Sequence, residues 1–400
     1  MNDTSLSIGD IIDVTTERLA YGGDSIARHE GLAIFIPYGA AGEKLRVRIT
    51  ERKKNFARAT IDRILEPSPS RRIPRCEYFG ECGGCQLQHI TYDAQLEAKV
   101  GFVRDALQRI GGIDWTQKIE IRRGEEFGYR SRAQVKIDRQ AGRVGFNRAS
   151  SNSVCDITSC PILVTELDEA LRSLWTALGT VGENDQRLPN RLQLEMAAGD
   201  SRVSFEPALD GLPEGALQRT VNDAVYKFSP STFFQGNARL LDELVTEAIG
   251  QTTGELAIDL YAGVGLFTVQ LARGFSRVIG VEADQDAARF AGENISANRA
   301  TNVEFHNNKT DVWLRNYVDS NGAAPDLILL DPPRGGAAEA IPHITALRPS
   351  RVTYVSCDPT TLARDLRKLS DSGYELSRVI AIDLFPQTYH VETVARLERR

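Results

Sequence analysis

At 400 residues, 42% of them apolar, the chain is long enough for two or three domains and has the material to fill their cores. With no run of about 18 apolar residues and no basic-then-apolar leader, neither a membrane span nor a secretory signal is expected, and the cytoplasm is the expected compartment. A formal charge of −6 argues against a uniformly basic nucleic-acid binder, and six cysteines in so large a chain point to metal or catalysis rather than a disulfide framework.

Residues 6 to 65 alternate in short bursts, IIDVTT, GLAIFIPY, KLRVRITER and FARATIDRIL, broken by YGGDS and GAAGE. Such strands and turns predict a small β-barrel, a shape often used as a nucleic-acid platform. Between Lys44 and Arg75 there are eleven Lys/Arg against three acids, a net +8, as a polyanion held at one end would require. A solvated strand surface is the alternative. EPSPSRRIPR, 66 to 75, reads as a linker. Cys76, Cys82 and Cys85 follow in a C-x5-C-x2-C arrangement with Gly83 and Gly84 in the short gap. Small residues there let the backbone wrap a metal centre and donate N–H bonds to sulfur.

DAQLEAKVGFVRDALQRIGG then places Leu96, Val100, Val103, Leu107 and Ile110 on one helical stripe closed by Gly111 and Gly112. Residues 118 to 225 look β-rich, with RAQVKI and RVGFN, and contain Cys155 and Cys160. From about 226 onward strand and helix alternate. LAIDLYA, RVIGVEA, VEFHN, DLILLDPP and RVTYVSCD are candidate strands of a mostly parallel, doubly wound sheet.

DLYAGVGLFTVQLA runs from strand to glycine-rich turn to helix, and Gly263 and Gly265 let the backbone approach a ligand closely. Glu282, 17 residues past Gly265 at the end of the next strand, is placed to accept two ribose hydroxyl hydrogen bonds. The third glycine of the dinucleotide fingerprint is missing, which favours S-adenosylmethionine, a donor without pyrophosphate. LILLDPPRGG ends a buried strand with Asp331, projecting a carboxylate into the crevice at the carboxyl edge of the sheet; an ordinary turn aspartate is the alternative. SPSTFFQGN carries Gln235 and two aromatics that either line the same crevice or form a capping loop.

By strand order Cys357 belongs at the same rim as Asp331. A thiol at a helix N-terminus feels its positive end, which favours thiolate and makes Cys357 a candidate nucleophile, with a buried structural thiol as the alternative. Glu392 lies in the apolar run VETVARL, where an acid is either raised in pKa by desolvation, as suits a general base, or paired with Arg396 or Arg364. A thiol and a carboxylate beside a methyl donor are what methylation of uracil C5 requires. Sulfur addition at C6 makes C5 nucleophilic, and a base then removes the C5 proton. The target uridine must be unstacked to reach the crevice.

CEYFGECGGCQLQ, SCPIL, FFQGN, DLYAGVG, LDPPRGG, YVSCDP and HVETVARLER together resemble the bacterial RNA 5-methyluridine methyltransferases, in the branch with an N-terminal TRAM domain and an iron–sulfur cluster. The resemblance covers nearly the whole chain. It implies an α/β protein with a TRAM-like RNA-binding barrel over 1–66, an iron–sulfur segment and central RNA-binding region over 67–225, and a Rossmann-like methyltransferase domain over 226–400. It implies Cys357 as nucleophile, Glu392 as base, and Gln235, Tyr261, Glu282 and Asp331 in contact with S-adenosylmethionine. It favours Cys160 over Cys155 as fourth ligand of a [4Fe-4S] cluster with Cys76, Cys82 and Cys85, the cluster being structural or RNA-orienting; zinc is the alternative on spacing. RNA is the implied partner, 23S rRNA before tRNA, with no obligate protein partner evident. An RNA-binding protein without catalysis, and a methyltransferase for another base or for protein, are the competing readings; the first is disfavoured by the presence of both Cys357 and Glu392, and the second leaves Cys357 unused.

Overall fold

Alternating burial along the amino-terminal stretch produces five strands, β1 (Ile11–Leu19), β2 (Ser25–His29), β3 (Leu32–Ile36), β4 (Lys44–Arg52) and β5 (Phe56–Glu66). In β4, Leu45, Val47 and Ile49 point inward while Lys44, Arg46, Arg48 and Thr50 between them face water. The strands close into the expected barrel in the order β1-β2-β3-β5-β4, around Val14, Ala27, Ile34, Ile36 and Ala57. The computed structural model describes residues 6–180 and 189–400, with the side chains of 175–180 left aside. Residues 1–5 of the expected barrel segment and 181–188 of the expected β-rich region therefore lie outside the described residues.

The stretch expected to be a linker is fastened to the barrel. The Arg71 guanidinium reaches Glu43 (Nη2 to Oε2, 2.7 Å) and the Tyr38 carbonyl (2.8 Å). Glu43 is fully buried. Burial alone would raise its pKa, but Arg71 and the N–H groups of Ala40 and Ser68 hold it below the usual carboxylate range. The basic surface is also less free than its composition suggests. Arg46 pairs with Asp13, Arg48 with Asp62, Arg58 with Asp24 and Lys44 with Glu66, whereas Arg52, Lys54 and Arg63 have no ion pair among the described residues.

Helix α1 (Tyr92–Arg109) uses the expected stripe, burying Leu96, Val103 and Leu107. Ile110 falls beyond its last turn and is exposed, because the chain leaves the helix toward Gly112 at φ +64°. Next come β6 (Glu120–Arg122), β7 (Arg132–Asp138), β8 (Arg143–Asn147), β9 (Val154–Asp156), α2 (Thr165–Thr180), β10 (Arg191–Ala198), β11 (Val203–Glu206), β12 (Leu217–Val221) and β13 (Ala224–Phe228). Strands β11-β10-β7-β8-β9 form one sheet and β12-β13 a hairpin. Helix α2 departs from the β-rich reading. Its signal was present in Leu167, Leu171 and Leu174, all buried at helical spacing behind Glu166 and Asp168 in the first turn.

The alternating region yields α3 (Leu241–Ile249), β14 (Gly254–Leu260), α4 (Leu266–Leu271), β15 (Phe275–Glu282), α5 (Gln285–Ala297), β16 (Val303–Asn307), α6 (Thr310–Asp319), β17 (Leu327–Leu330), α7 (Ile341–Leu347), β18 (Arg351–Ser356), α8 (Pro359–Asp371), β19 (Tyr374–Ile382) and β20 (Glu392–Arg399). All five expected strands are present. The sheet runs β16-β15-β14-β17-β18-β20-β19-β6. Strands β14 to β18 are parallel, with β14, β17 and β18 buried almost throughout and β16 on the edge, and β20 is antiparallel to both neighbours. Its edge strand β6 pairs in parallel with Ile380–Ile382 of β19, although it comes from far upstream in the chain.

Two compact units result. One comprises the described chain up to Phe102 with Phe146–Cys155 and Phe385–His390; the other comprises Val103–Gly145, Asp156–Leu384 and Val391–Arg400. The three expected segments are thus apportioned differently from these units. Among the described residues no helix is long and apolar enough to cross a membrane.

Candidate active site

The neighbours of β14 in the sheet are β15 on one side and β17 on the other, so the chain direction of winding reverses between β14 and β17. Crevices at such a reversal, at the carboxyl ends of the strands, are where open α/β sheets bind ligands. After β14, Tyr261 (φ +60°), Gly263 (φ +56°) and Gly265 (φ +85°) turn the chain into α4. A Cβ added at Gly263 would meet no atom within 4 Å, so this backbone faces open space. The Gly263 N–H donates to Glu282 Oε2 at 2.8 Å and the Asp284 N–H to Oε1 at 2.7 Å, which fixes the carboxylate at the end of β15. Beneath the turn, burial pushes Asp259 up to about 7, with the Thr268 hydroxyl opposing. Burial also drives the Tyr261 phenol up to about 12.

The 229–237 loop is held by Arg132 of β7, whose guanidinium donates to the carbonyls of Pro230 (2.8 Å), Thr232 and Phe234 (3.2 Å). Burial draws Arg132 down to about 10. The expected aromatic pair divides: Phe234 is buried and stacks on Phe228 at 4.6 Å, while Phe233 is 64% exposed. Gln235, thereby aimed inward, donates from Nε2 to Asp331 Oδ2 at 3.2 Å. A cleft lined by Phe233, Gln235, Tyr261, Gly263, Val264 and Asp331 joins the loop to the glycine turn.

Cys357 follows β18, which lies beside β17 and hence beside Asp331, as strand order required. Its thiol is pushed up to about 12 by burial, then by the carboxyls of Glu392 and Asp331, with Arg334 opposing. Burial and the two carboxyls thus oppose the thiolate expected at the helix N-terminus. Asp358, one residue on, caps α8 and accepts the N–H groups of Thr360 (2.8 Å) and Thr361 (3.3 Å). Glu392 is 2% exposed, and its Oε1 has no hydrogen-bond partner among the described residues. Burial, then Asp331, raises its pKa well above the ordinary glutamate value. Asp331 is raised in turn by burial, against the Gln235 hydrogen bond. The competing ion pairs do not form, since Arg396 is engaged with Glu247 and Arg364 with Asp365.

Sequence reasoning singled out neither Arg334, which acts on the thiol from within LDPPRGG, nor the support of that loop. Buried Asp365 accepts the Ala337 N–H at 2.8 Å and the Tyr354 hydroxyl at 2.9 Å, so α8 and β18 together fix the chain just after Asp331. Asp365 stands three residues after Leu362 and four before Leu369, on the apolar face of α8, and an acid at that helical spacing was the available signal.

Cys76, Cys82 and Cys85 form no disulfide, are partly buried, and lie in the first unit. The Gly84 N–H donates to Cys82 Sγ at 3.4 Å, and a Cβ at Gly83 would press on the Asn147 carbonyl at 3.2 Å. Cys155 is buried, its thiol 3.5 Å from Glu81 Oε1. Cys160 belongs to the second unit, with its N–H on Asp168 Oδ1 at 2.6 Å. The donor chemistry suits a thiolate-bound cluster, yet among the described residues no three His, Cys, Asp or Glu side chains are grouped closely enough to hold one metal ion.

Comparison with known proteins adds three findings. Residues 212–400 match the family model for tRNA (Uracil-5-)-methyltransferase, and residues 6–61 match the TRAM domain. Over 97% of its length the chain is 35% identical to the 23S rRNA (uracil(1939)-C(5))-methyltransferase RlmD of Edwardsiella ictaluri, covering 96% of that protein. It is 31% identical, over 97% of its length and 98% of the other, to an uncharacterized RNA methyltransferase of Aquifex aeolicus. In fold it resembles the crystal structure of Pyrococcus abyssi tRNA (uracil-54, C5)-methyltransferase in complex with S-adenosyl-L-homocysteine, with a TM-score of 0.72 at 24% identity over 96% of this chain and 100% of that one.

Proposed function

The chain belongs to the family of S-adenosylmethionine-dependent RNA (uracil-5-)-methyltransferases, and on that premise we propose that it methylates C5 of a uridine in 23S rRNA through a covalent adduct at Cys357. The observation that carries this reading is the sheet order β17-β18-β20, which brings Asp331 after β17, Cys357 after β18 and Glu392 at the start of β20 to one end of three adjacent strands, with Asp331 lining the cleft floored by the glycine turn. The preference for 23S rRNA over tRNA rests on the 35% identity to RlmD along nearly the whole chain.

Gly263 and Gly265 let the backbone lie against S-adenosylmethionine, Glu282 accepts from its ribose hydroxyls, and Tyr261, Gln235 and Asp331 line the remainder of the cleft. The donor supplies an electrophilic methyl group. The thiol starts protonated, so its proton passes to Asp331 as sulfur bonds to C6 and the ring electrons move toward O4. C5 then attacks the methyl group; the new C–C bond forms as the donor's S–CH3 bond breaks. Glu392 takes the C5 proton, the C5–C6 double bond returns, and the C6–S bond breaks to release Cys357. A carboxylate whose proton affinity is raised by burial suits that last removal.

The same reading assigns residues 1–66 to RNA contact through Arg52, Lys54 and Arg63, residues 67–225 to the central RNA-binding region, and 226–400 to catalysis. A [4Fe-4S] cluster would take Cys76, Cys82, Cys85 and Cys160 as its ligands, which would have to be drawn closer together than they stand; four thiolates would leave no iron open, so its part would be structural or RNA-orienting. Work in the cytoplasm fits a modified RNA made there. Covalent trapping tests the proposal. With S-adenosylmethionine and 5-fluorouridine-containing 23S rRNA fragments, a denaturation-stable adduct on Cys357 is expected, because fluorine at C5 blocks the final elimination. An adduct on tRNA alone would move the substrate to tRNA, and none on either would overturn the covalent mechanism.

A further inference from the structure

The hairpin β12-β13 runs straight into the 229–237 loop, and helix α5 follows the strand that ends in Glu282. Both belong to the second unit, and one amide of α5 joins the hairpin to the glycine turn. Asn294 is fully buried, on the helix face that also buries Ala287, Phe290 and Ala291. Its Oδ1 accepts the Lys227 N–H at 2.7 Å, and its Nδ2 donates to the Lys227 carbonyl at 3.0 Å and to the Val264 carbonyl at 2.9 Å. Two carbonyls and one N–H around the amide admit a single orientation and use both of its protons. A second tie runs between the same two elements. The buried Tyr226 hydroxyl donates to the Leu266 carbonyl at 3.0 Å and accepts from Gln270 Nε2 at 3.0 Å.

Val264 and Leu266 flank Gly265, and both line the cleft. Apart from Asp331, that lining comes from two pieces of chain, residues 233–235 and residues within 261–267. The first piece is in contact with the end of β13, since Phe228, next to Lys227, stacks on Phe234 at 4.6 Å. Asn294 and Tyr226 therefore hold together the two pieces between which a ligand of the cleft would lie. One turn further along α5, Asn298 serves the hairpin without the glycine turn: its Oδ1 accepts the Val225 N–H at 3.0 Å and its Nδ2 donates to the Val225 carbonyl at 2.8 Å. Bonds of that kind are enough to dock a hairpin on a helix, and a leucine at 294 would avoid burying an amide. What distinguishes Asn294 is its third bond, into the turn.

We propose that Asn294 and Tyr226 are positioning residues for the methyl donor, fixing the span between the 233–235 segment and the glycine turn so that the cleft has its binding width before RNA arrives. The role rests on the reading of that cleft as the S-adenosylmethionine site.

The test uses the full chain, first with S-adenosylhomocysteine and no RNA, then with S-adenosylmethionine and a 23S rRNA fragment. Asn294→Leu removes all three bonds at similar volume, Tyr226→Phe removes the bond to Leu266, and Asn298→Ala loosens the hairpin without touching the turn. Asn294→Leu is expected to weaken S-adenosylhomocysteine by about tenfold and Tyr226→Phe by about threefold. KM for S-adenosylmethionine should rise to match, with KM for RNA, and kcat at saturating donor, within about twofold. Asn298→Ala is expected to lower the melting temperature and to keep donor affinity within about twofold. Parent affinity in either folded clasp variant would overturn the role, and so would a loss in Asn298→Ala equal to that in Asn294→Leu; if Asn294→Leu does not fold, Tyr226→Phe decides. If Glu282→Ala leaves donor affinity unchanged, the reading of the cleft fails; weakening in Glu282→Ala with both clasp variants at parent affinity overturns the positioning role alone.

Discussion

Ser356 pairs with Thr393 across the antiparallel β18–β20 ladder, so the next residue of one strand, Cys357, and the preceding residue of the other, Glu392, leave the sheet at the same end. Replacing each separates their proposed roles. Cys357→Ala is expected to lower kcat by at least about a thousandfold and to form no adduct with 5-fluorouridine RNA, with melting temperature and methyl-donor binding unchanged. Glu392→Gln is expected to form the adduct and stall there. Gel analysis of denatured protein–RNA mixtures reads both outcomes.

The resting thiol makes its own prediction. With Cys357 pushed up to about 12, its alkylation by iodoacetamide should rise about tenfold per pH unit from pH 7 to 9 without levelling. Glu392→Gln removes the carboxyl that raises the thiol most and should speed the reaction. Peptide mapping distinguishes Cys357 from the other five cysteines.

Asp259 ties stability to pH. Its pKa rises on folding from 3.8 to about 7, so its contribution to stability is fully present below pH 3.8 and is lost as pH rises through about 7. The loss is on the order of 2–4 kcal/mol. Asp259→Asn should therefore lose less melting temperature than the parent between pH 5 and pH 8; equal slopes would contradict the assignment.

Methyl-donor binding should depend on the two polar arms of the cleft. Glu282→Ala removes the proposed ribose acceptor and is expected to weaken S-adenosylmethionine by about ten- to a hundredfold, and Gln235→Ala by about three- to tenfold. Calorimetric titration with S-adenosylhomocysteine, which needs no RNA, measures both.

The cysteines can be sorted by iron content. After anaerobic purification, Cys76→Ser, Cys82→Ser, Cys85→Ser and Cys160→Ser are expected to lose iron, sulfide and visible absorbance, while Cys155→Ser keeps them. Equal retention in all five would remove the cluster from the proposal.

Much of this was legible because local patterns carried it. The barrel strands show period-two burial, and β14, β15 and β17 are largely apolar runs followed closely by glycine, acid or proline. The Gly263 turn, Glu282, Asp331 and Cys357 each mark a strand end, where sequence and sheet position coincide. What was hidden depended on distance. The 66–75 stretch has a linker's composition, and only the buried Glu43 turns it into a strap. Thiolate character at Cys357 followed from helix position, but burial opposes it and so do carboxyls that come from other strands. Asn294 carries no local signal at all, since its partners Val264 and Lys227 lie 30 and 67 residues upstream.

The edge strand β6 has a consequence for how the molecule is made. It emerges from the ribosome more than 250 residues ahead of its partner in β19, so the eight-stranded sheet stays open along that side until almost the whole chain has been synthesised. A fragment beginning at 226 would carry every residue proposed for chemistry and still present the bare edge of β19, ready to pair with another copy of itself.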